Sequence, residues 1–157
     1  PESSGDTLLL SDLVMIARTG IYVFESNNFS GCICGDEDSR YWTQTMKRGP
    51  KQQFYNPIWQ NESRISSLKR QLALEADAFK SYVVFSDQCT LKKRYVQSGR
   101  VTVMNRSMIV RELIKDMAEL PDIFTPLEIN QIYSELVPYT HTAAAIGQAR
   151  IETVQLE

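Results

Sequence analysis

Two apolar, β-prone runs near the amino terminus are separated only by a short turn at residues 18–20. The first run covers residues 7–17 and the second covers residues 21–24. Branched aliphatic and aromatic residues favour strands, and a short glycine-containing turn between two such runs is typical of a hairpin. The segment therefore predicts two neighbouring antiparallel strands.

A second hairpin is predicted next, with strands at residues 31–35 and 41–45 around a polar turn. The polar stretch from Lys47 to Tyr55 is predicted to be a loop. A helix should then begin at Asn56-Pro57, since asparagine is a good N-cap and proline suits the first helical position. Its apolar stripe consists of Ile58, Ile65, Leu68, Leu72 and Ala76.

The second half of the chain continues the alternation of strands and helices. Short strands are predicted at residues 81–85 and 101–104, and Ser107 is predicted to cap the helix that follows. A capping box at residues 125–128 begins another helix, which Pro138 is predicted to stop, and residues 140–154 look weakly helical. This order predicts an α/β fold with a mixed sheet flanked by helices.

Length and charge restrict the classes of function. A chain of 157 residues suits a single domain, and a formal net charge of -2 gives no overall attraction to nucleic acid. No apolar run reaches the ~18–20 residues of a membrane helix, and three cysteines without framework spacing indicate reduced thiols in the cytoplasm. Because the chain opens with Pro1, we expect it to be a piece of a longer protein.

Two carboxylates occupy unusual positions in the first hairpin. Asp12 interrupts the first apolar run, and Glu25 ends the second. A buried carboxylate is costly unless it is paired, hydrogen-bonded or bound to metal, and two acids on neighbouring strands could hold Mg²⁺. The alternative is that Asp12 begins its strand or faces solvent while Glu25 ends the other strand, and spacing alone favours this structural alternative.

Several motifs in collinear order resemble the signature of the nuclease-related domain (NERD) family. Asp12 is followed by apolar residues, and residues 20–31 read GIYVFESNNFSG. The family pattern there is G-(I/L)-(Y/F)-V-(I/F)-E-x-K-N-(Y/W)-x-G. The resemblance covers about residues 11–118. Further matches are Tyr41-Trp42, the segment Phe54-Tyr55-Asn56-Pro57-Ile58-Trp59-Gln60-Asn61, Val83-Val84-Phe85-Ser86 and Val103-Met104-Asn105-Arg106-Ser107.

This resemblance implies a PD-(D/E)xK nuclease, with a restriction-endonuclease-like core at residues 1–120 and a helical extension at residues 121–157. It implies hydrolysis of DNA phosphodiesters with Mg²⁺ or Mn²⁺, the metal polarising the phosphate and activating water. The implied metal ligands are Asp12, Glu25 and the backbone carbonyl of Ser26, and Gln60 is the implied polar residue on the helix.

The chain departs from the family pattern in two places. Asn27 stands where the family has its catalytic lysine, and losing such a donor typically costs ~10²–10³ in rate. Three explanations are open. Asn27 is natural and cleavage is weak or absent, or Lys47 or Lys51 supplies the missing lysine from the loop before the helix, or the substitution was introduced to inactivate the protein. The glutamate-bearing helix that usually precedes the first strand has no match. The alternative functions are therefore a non-catalytic nucleic-acid-binding or accessory module and a purely structural domain.

Several polar and basic residues are candidates for contact with nucleic acid. Gln60 falls roughly 130° from the apolar stripe of its helix, and Arg64 follows one turn later. Arg64 would contact a phosphate, or both residues would simply face solvent. Basic loops are predicted at Lys47, Arg48 and Lys51 and at residues 92–94, either as phosphate contacts or as solvated charges.

Overall fold

The computed structural model describes residues 13–95, 99, 101–146 and 150–153. Its architecture is mixed α/β, as predicted, with two sheets and three α-helices among these residues. The strands are β1 Leu13–Ala17, β2 Gly20–Asn27, β3 Gly31–Asp36, β4 Tyr41–Thr45, β5 Lys51–Tyr55, β6 Phe79–Phe85, β7 Cys89–Tyr95, β8 Val101–Asn105 and β9 Arg150–Thr153. The helices are α1 Pro57–Leu72, α2 Ile109–Glu119 and α3 Pro126–Ile146.

The first sheet has the strand order β8-β6-β2-β1-β9. The predicted hairpin is confirmed, because β1 and β2 pair antiparallel from Leu13 opposite Phe24 to Ala17 opposite Gly20. β6 and β8 then add in parallel on the other side of β2. At Gly20 the φ angle is +150° and an added Cβ would lie 2.9 Å from the carbonyl oxygen of Ala78, so this turn requires glycine. Residues 7–12, including Asp12, lie outside the described residues.

The second sheet has the order β5-β4-β3-β7 and corrects two predictions. The predicted hairpin of β3 and β4 is confirmed. The stretch predicted as a loop up to Tyr55 contains a strand, β5, and the predicted basic loop at residues 92–94 lies within β7. Both strands were missed because one face of this sheet is solvated, which leaves polar residues at every second position and too few apolar ones to reveal the period.

Helix α1 runs back across the first sheet from the end where β2 and β6 finish. Asn56 caps it as predicted, its side chain accepting from the backbone N–H groups of Ile58 and Trp59, with Pro57 at the first position. The Asn56 Nδ2 group also donates to three carbonyls of the β3–β4 turn, at Asp36, Glu37 and Ser39. One side chain thus fixes the start of α1 to the second sheet.

The core on the α1 side of the first sheet is shared by β1, β2, α1 and α3. α3 contributes Ile129, Ile132 and Leu136, each less than 10% exposed. α2 covers the opposite face with partly buried apolar side chains. None of the helices in the described part of the chain is both long and apolar enough to span a membrane.

Three predictions about the second half need correction or qualification. Ser107 does not cap α2, because the N-cap is Met108 with no side-chain bond and the Ser107 amide donates instead to Asp87 Oδ1 at 3.0 Å. Pro138 does not stop α3, since a proline removes one hydrogen bond but buried side chains such as Leu136 hold the helix against the sheet. Residues 150–153 form β9, parallel to β1, rather than helix.

The capping box of α3 is confirmed. The Thr125 amide donates to Glu128 Oε1 at 3.0 Å, and the Glu128 amide donates to Thr125 Oγ1 at 3.2 Å. Two amides that the helix leaves without carbonyl partners are therefore satisfied by one reciprocal pair.

Candidate functional site

Glu25 is the last of six consecutive buried residues in β2 and is only 5% exposed. It shares a sheet face with Val23, the face that α1 covers, because side chains two apart on a strand point the same way. The sequence places a carboxylate where solvent cannot stabilise its charge. Its neighbours must therefore do so.

The neighbour of Glu25 is Arg64 on the second turn of α1. The Arg64 Nη1 group forms an ion pair with Glu25 Oε2, and both side chains are less than 10% exposed. In the amide orientation that its neighbours require, Gln60 donates to Glu25 Oε1 at 3.3 Å and accepts from Arg64 Nη2 at 3.2 Å. Both carboxylate oxygens are thus engaged. The solvent-facing alternative for Arg64 is wrong, and Gln60 reaches the site from an exposed position.

Asn61 fixes the rotation of α1 at this point and was missed from the sequence. It is fully buried, and its Nδ2 donates to the Val23 carbonyl at 2.9 Å and to Ser81 Oγ at 2.8 Å. Within the described residues its Oδ1 has no hydrogen-bond partner. A signal was present, since position 61 falls on the stripe of Ile58 and Leu68, where a polar residue needs a buried partner.

Asn27, at the position of the family lysine, ends β2 half-buried. Its Nδ2 lies 3.5 Å from the Val84 carbonyl, the outer limit for a hydrogen bond. The preceding Ser26 is exposed. An asparagine here adds a weak donor and no positive charge, so Arg64 supplies the cation in contact with Glu25.

The predicted basic residues Lys47, Arg48 and Lys51 are all exposed, the first two in the β4–β5 connection and Lys51 at the start of β5. This connection adjoins the chain just after β2. Gln44 Nε2 donates to the Ser30 carbonyl at 2.9 Å, and Ser30 Oγ lies 3.7 Å from Met46 Sδ. The basic turn is therefore on the side of the second sheet where β2 ends.

The described residues do not by themselves compose a metal site. Among the side chains that the structure describes, in residues 13–92 and 101–138, no three from His, Cys, Asp or Glu cluster so as to hold an ion. Glu25 is the one predicted side-chain ligand in that part, and both of its oxygens already have partners. Asp12 lies outside it. In this arrangement the charge of Glu25 is compensated by the Arg64 guanidinium group. The carboxylate therefore has no oxygen left to bind a divalent ion at the same time.

The mixed α/β architecture, with two sheets flanked by helices, is consistent with the class of nuclease-like α/β domains. Residues 10–86 match the sequence model of the nuclease-related domain, NERD. This match assigns residues 10–86, just under half of the chain, to the nuclease-related type, whose general superfamily is PD-(D/E)xK.

The chain is also similar to an uncharacterized protein of Bacillus anthracis, pXO1-01. The two are 31% identical over 134 residues, which is 85% of this chain and 60% of that protein. The chain thus spans about three fifths of that relative's length. No solved structure matches this chain.

Proposed function

We propose that this chain is a nucleic-acid-binding module of the nuclease-related class whose hydrolytic centre is weak or silent. The observation that carries the proposal is the buried ion pair between Arg64 and Glu25. The carboxylate that the family resemblance assigns to metal binding is neutralised from within the chain.

The loss of the lysine supports the same proposal. A positioned cation beside the scissile phosphate stabilises charge that develops in the transition state, and losing one such donor costs roughly 10²–10³ in rate. Asn27 carries no charge, and the Arg64 guanidinium is committed to Glu25. Arg64 therefore compensates the charge of Glu25 and does not bind a phosphate.

The nucleic-acid interface that we propose is the basic turn of Lys47, Arg48 and Lys51. These side chains are exposed and lie on the side where β2 ends. Lysine and arginine bind phosphates chiefly through charge and counterion release, which makes the affinity fall with salt. DNA is the proposed ligand, on the strength of the family.

The test has a binding arm and a cleavage arm. In the first, a labelled 16-base-pair DNA is titrated with the parent protein and with the triple variant Lys47→Gln, Arg48→Gln, Lys51→Gln. A Lys115→Gln variant, changed on the exposed surface of α2, is the control. We expect the triple variant to bind several-fold more weakly and with a smaller salt dependence. Equal binding by parent and triple variant would remove this turn from the interface.

The cleavage arm incubates linear and circular DNA with Mg²⁺ or Mn²⁺. We expect little or no cleavage by the parent, and cleavage by the double variant Asn27→Lys, Arg64→Gln, which restores the lysine and releases Glu25. Adding Glu25→Gln to that double variant should abolish the gained activity.

The second candidate function is metal-dependent hydrolysis of DNA phosphodiesters. It is favoured because β1, which begins directly after Asp12, pairs along its length with β2, which carries Glu25. On this alternative Asp12, Glu25 and the Ser26 carbonyl hold Mg²⁺, which would polarise the phosphate. Arg64 would have to leave Glu25 first. Cleavage by the parent that Glu25→Gln abolishes would establish this candidate and overturn the first.

A further inference from the structure

The outer face of the second sheet is open to solvent. Alternation along β3 places Ile33 in the core, and Cys32 and Cys34 on the other side. Thr43 and Lys92 are paired with Cys34, and Gln53 is paired with Thr43. All three therefore lie on the same outer side as Cys34. The outer-face residues are half-buried or exposed. In the described part of the chain, β3, β4 and β5 make their main contacts with the strands of their own sheet.

Two tyrosines are cross-strand neighbours at one end of this face. Tyr41 of β4 is directly opposite Tyr55 of β5, and the two are 51% and 45% exposed. The Tyr55 ring packs edge to face against Trp59, with the ring centroids 6.0 Å apart. The Arg40 guanidinium lies 6.0 Å from the centroid of the Tyr41 ring. Two adjacent exposed rings make a contiguous apolar patch, and such patches mark binding surfaces more often than single exposed side chains do.

The charge of the sheet is opposite to that of the whole chain. The four strands carry Lys51, Lys92, Lys93 and Arg94, and Asp36 is their one acid. The pKa of Asp36 is lowered because its carboxylate accepts hydrogen bonds from Ser39 and from the Asp38 amide, so that charge is satisfied within its own turn. Lys51 and Lys92 are exposed on the outer face. Asp38 is exposed too, but it lies in the β3–β4 turn outside the strands.

We infer that this outer face binds single-stranded nucleic acid, with bases stacked on Tyr41 and Tyr55 and phosphates against Lys51 and Lys92. The inference deepens the proposed function and rests on it. Tyr55 and Lys51 are four residues apart on β5, about 13 Å at the usual rise of a strand. The face then continues into the basic turn at Lys47 and Arg48, so one strand of nucleic acid can follow both.

A single strand fits this face better than a duplex does. In a duplex the faces of the bases are stacked on one another and only the edges and phosphates are accessible. Exposed tyrosine rings offer a flat apolar surface whose partner is an unstacked base, and such stacking tolerates any sequence. Lysines along the strands contribute charge without reading sequence.

The experiment uses fluorescein-labelled dT16 and a 16-base-pair duplex, with binding followed by anisotropy over a series of salt concentrations. Tyr41→Ala and Tyr55→Ala should each weaken binding to dT16 on the order of tenfold, while the phenylalanine variants, which keep the ring, should stay within about twofold. Each of Lys51→Gln and Lys92→Gln should lower the slope of log affinity against log salt by about 0.7. Tyr133→Ala makes the same change at an exposed ring on α3 and is the matched control, with no expected effect.

Each outcome separates this inference from the proposed function. Unchanged dT16 affinity in both tyrosine variants, with duplex binding still sensitive to Lys47→Gln and Arg48→Gln, would overturn the sheet-face inference alone. Equal losses for alanine and phenylalanine variants would overturn stacking as the cause. Failure of the parent to bind either DNA would overturn both proposals. Thermal unfolding of every variant shows whether a loss of binding reflects a loss of fold.

Discussion

The Glu25–Arg64 pair places two opposite charges in contact inside the fold. Charges removed from water are tolerated when paired, yet the pair itself contributes little net stability. Removing one partner is different, because it leaves a lone buried charge. The pair is therefore a point where stability and potential chemistry are coupled.

Replacing the cation tests this coupling. Arg64→Gln should lower the free energy of unfolding by about 3–5 kcal/mol, because Glu25 loses its counter-charge. The double variant Glu25→Gln, Arg64→Gln should recover much of that loss, since neither residue is then charged. Urea denaturation of both variants measures it. If the loss of stability in the double variant equals or exceeds the sum of the losses in the Glu25→Gln and Arg64→Gln single variants, the charges do not interact as described.

Cysteine reactivity tests the burial of the second sheet's inner face. Cys89 is 5% exposed, its Sγ lies 2.9 Å from the Phe29 carbonyl, and burial raises the pKa of its thiol. Because only the thiolate reacts, a raised pKa leaves less reactive sulfur at pH 8. Iodoacetamide should therefore modify the exposed Cys34 well before Cys89, and Cys89 should respond only as pH rises further. Mass spectrometry of the native protein gives the rates; equal rates at pH 8 would contradict the placement of Cys89.

At the scale of elements, the caps of α1 and α3 differ in the groups to which they are hydrogen-bonded. The Asn56 cap bonds two amides of α1 and three carbonyls of the β3–β4 turn, while the Thr125 cap is exposed and local to α3. A side chain that joins two elements should therefore matter more than one that serves a single helix.

The two caps make a matched pair of alanine variants. Thr125→Ala should cost about 1 kcal/mol, the usual value for a cap. Asn56→Ala should cost about 1–2 kcal/mol more, because the three half-buried carbonyls of the β3–β4 turn also lose the Asn56 donor. Thermal or urea unfolding measures both. Equal costs would mean that Asn56 acts only as a local cap.

On the scale of the whole molecule, α3 belongs to the same core as the first sheet. Leu136 is fully buried there and packs in one cluster with Val14 and Leu68. The division at residue 120 stays a prediction, but the apolar contacts cross it. A chain that shares one core should unfold as one unit.

Two leucines of α3 test this. Leu136→Ala should lower the free energy of unfolding by about 2–5 kcal/mol and keep a single transition, because it opens a cavity in the shared core. Leu127→Ala, at a side chain that is 66% exposed, should change it by less than about 1 kcal/mol. Two separate transitions in circular dichroism would show that α3 unfolds independently of the sheet.

The sequence by itself determined the elements whose signals are local. The first two hairpins, the Asn56-Pro57 start of α1 and the Thr125–Glu128 capping box follow from residues only a few positions apart. Glu25 was identified in the same way, because an acid ending an apolar strand is unusual wherever the strand packs. The motif order from Asp12 to Ser107 carried the family.

Tertiary structure alone decided what depends on partners distant in sequence. β5 and β7 are strands because neighbouring strands bond their backbones, although their polar residues suggested loops. α3 passes Pro138 because the core holds Leu136, and Arg64 turns inward because Glu25, 39 positions earlier, needs a cation. Burial and pairing are set by what the folded chain brings together, and no local pattern contains that information.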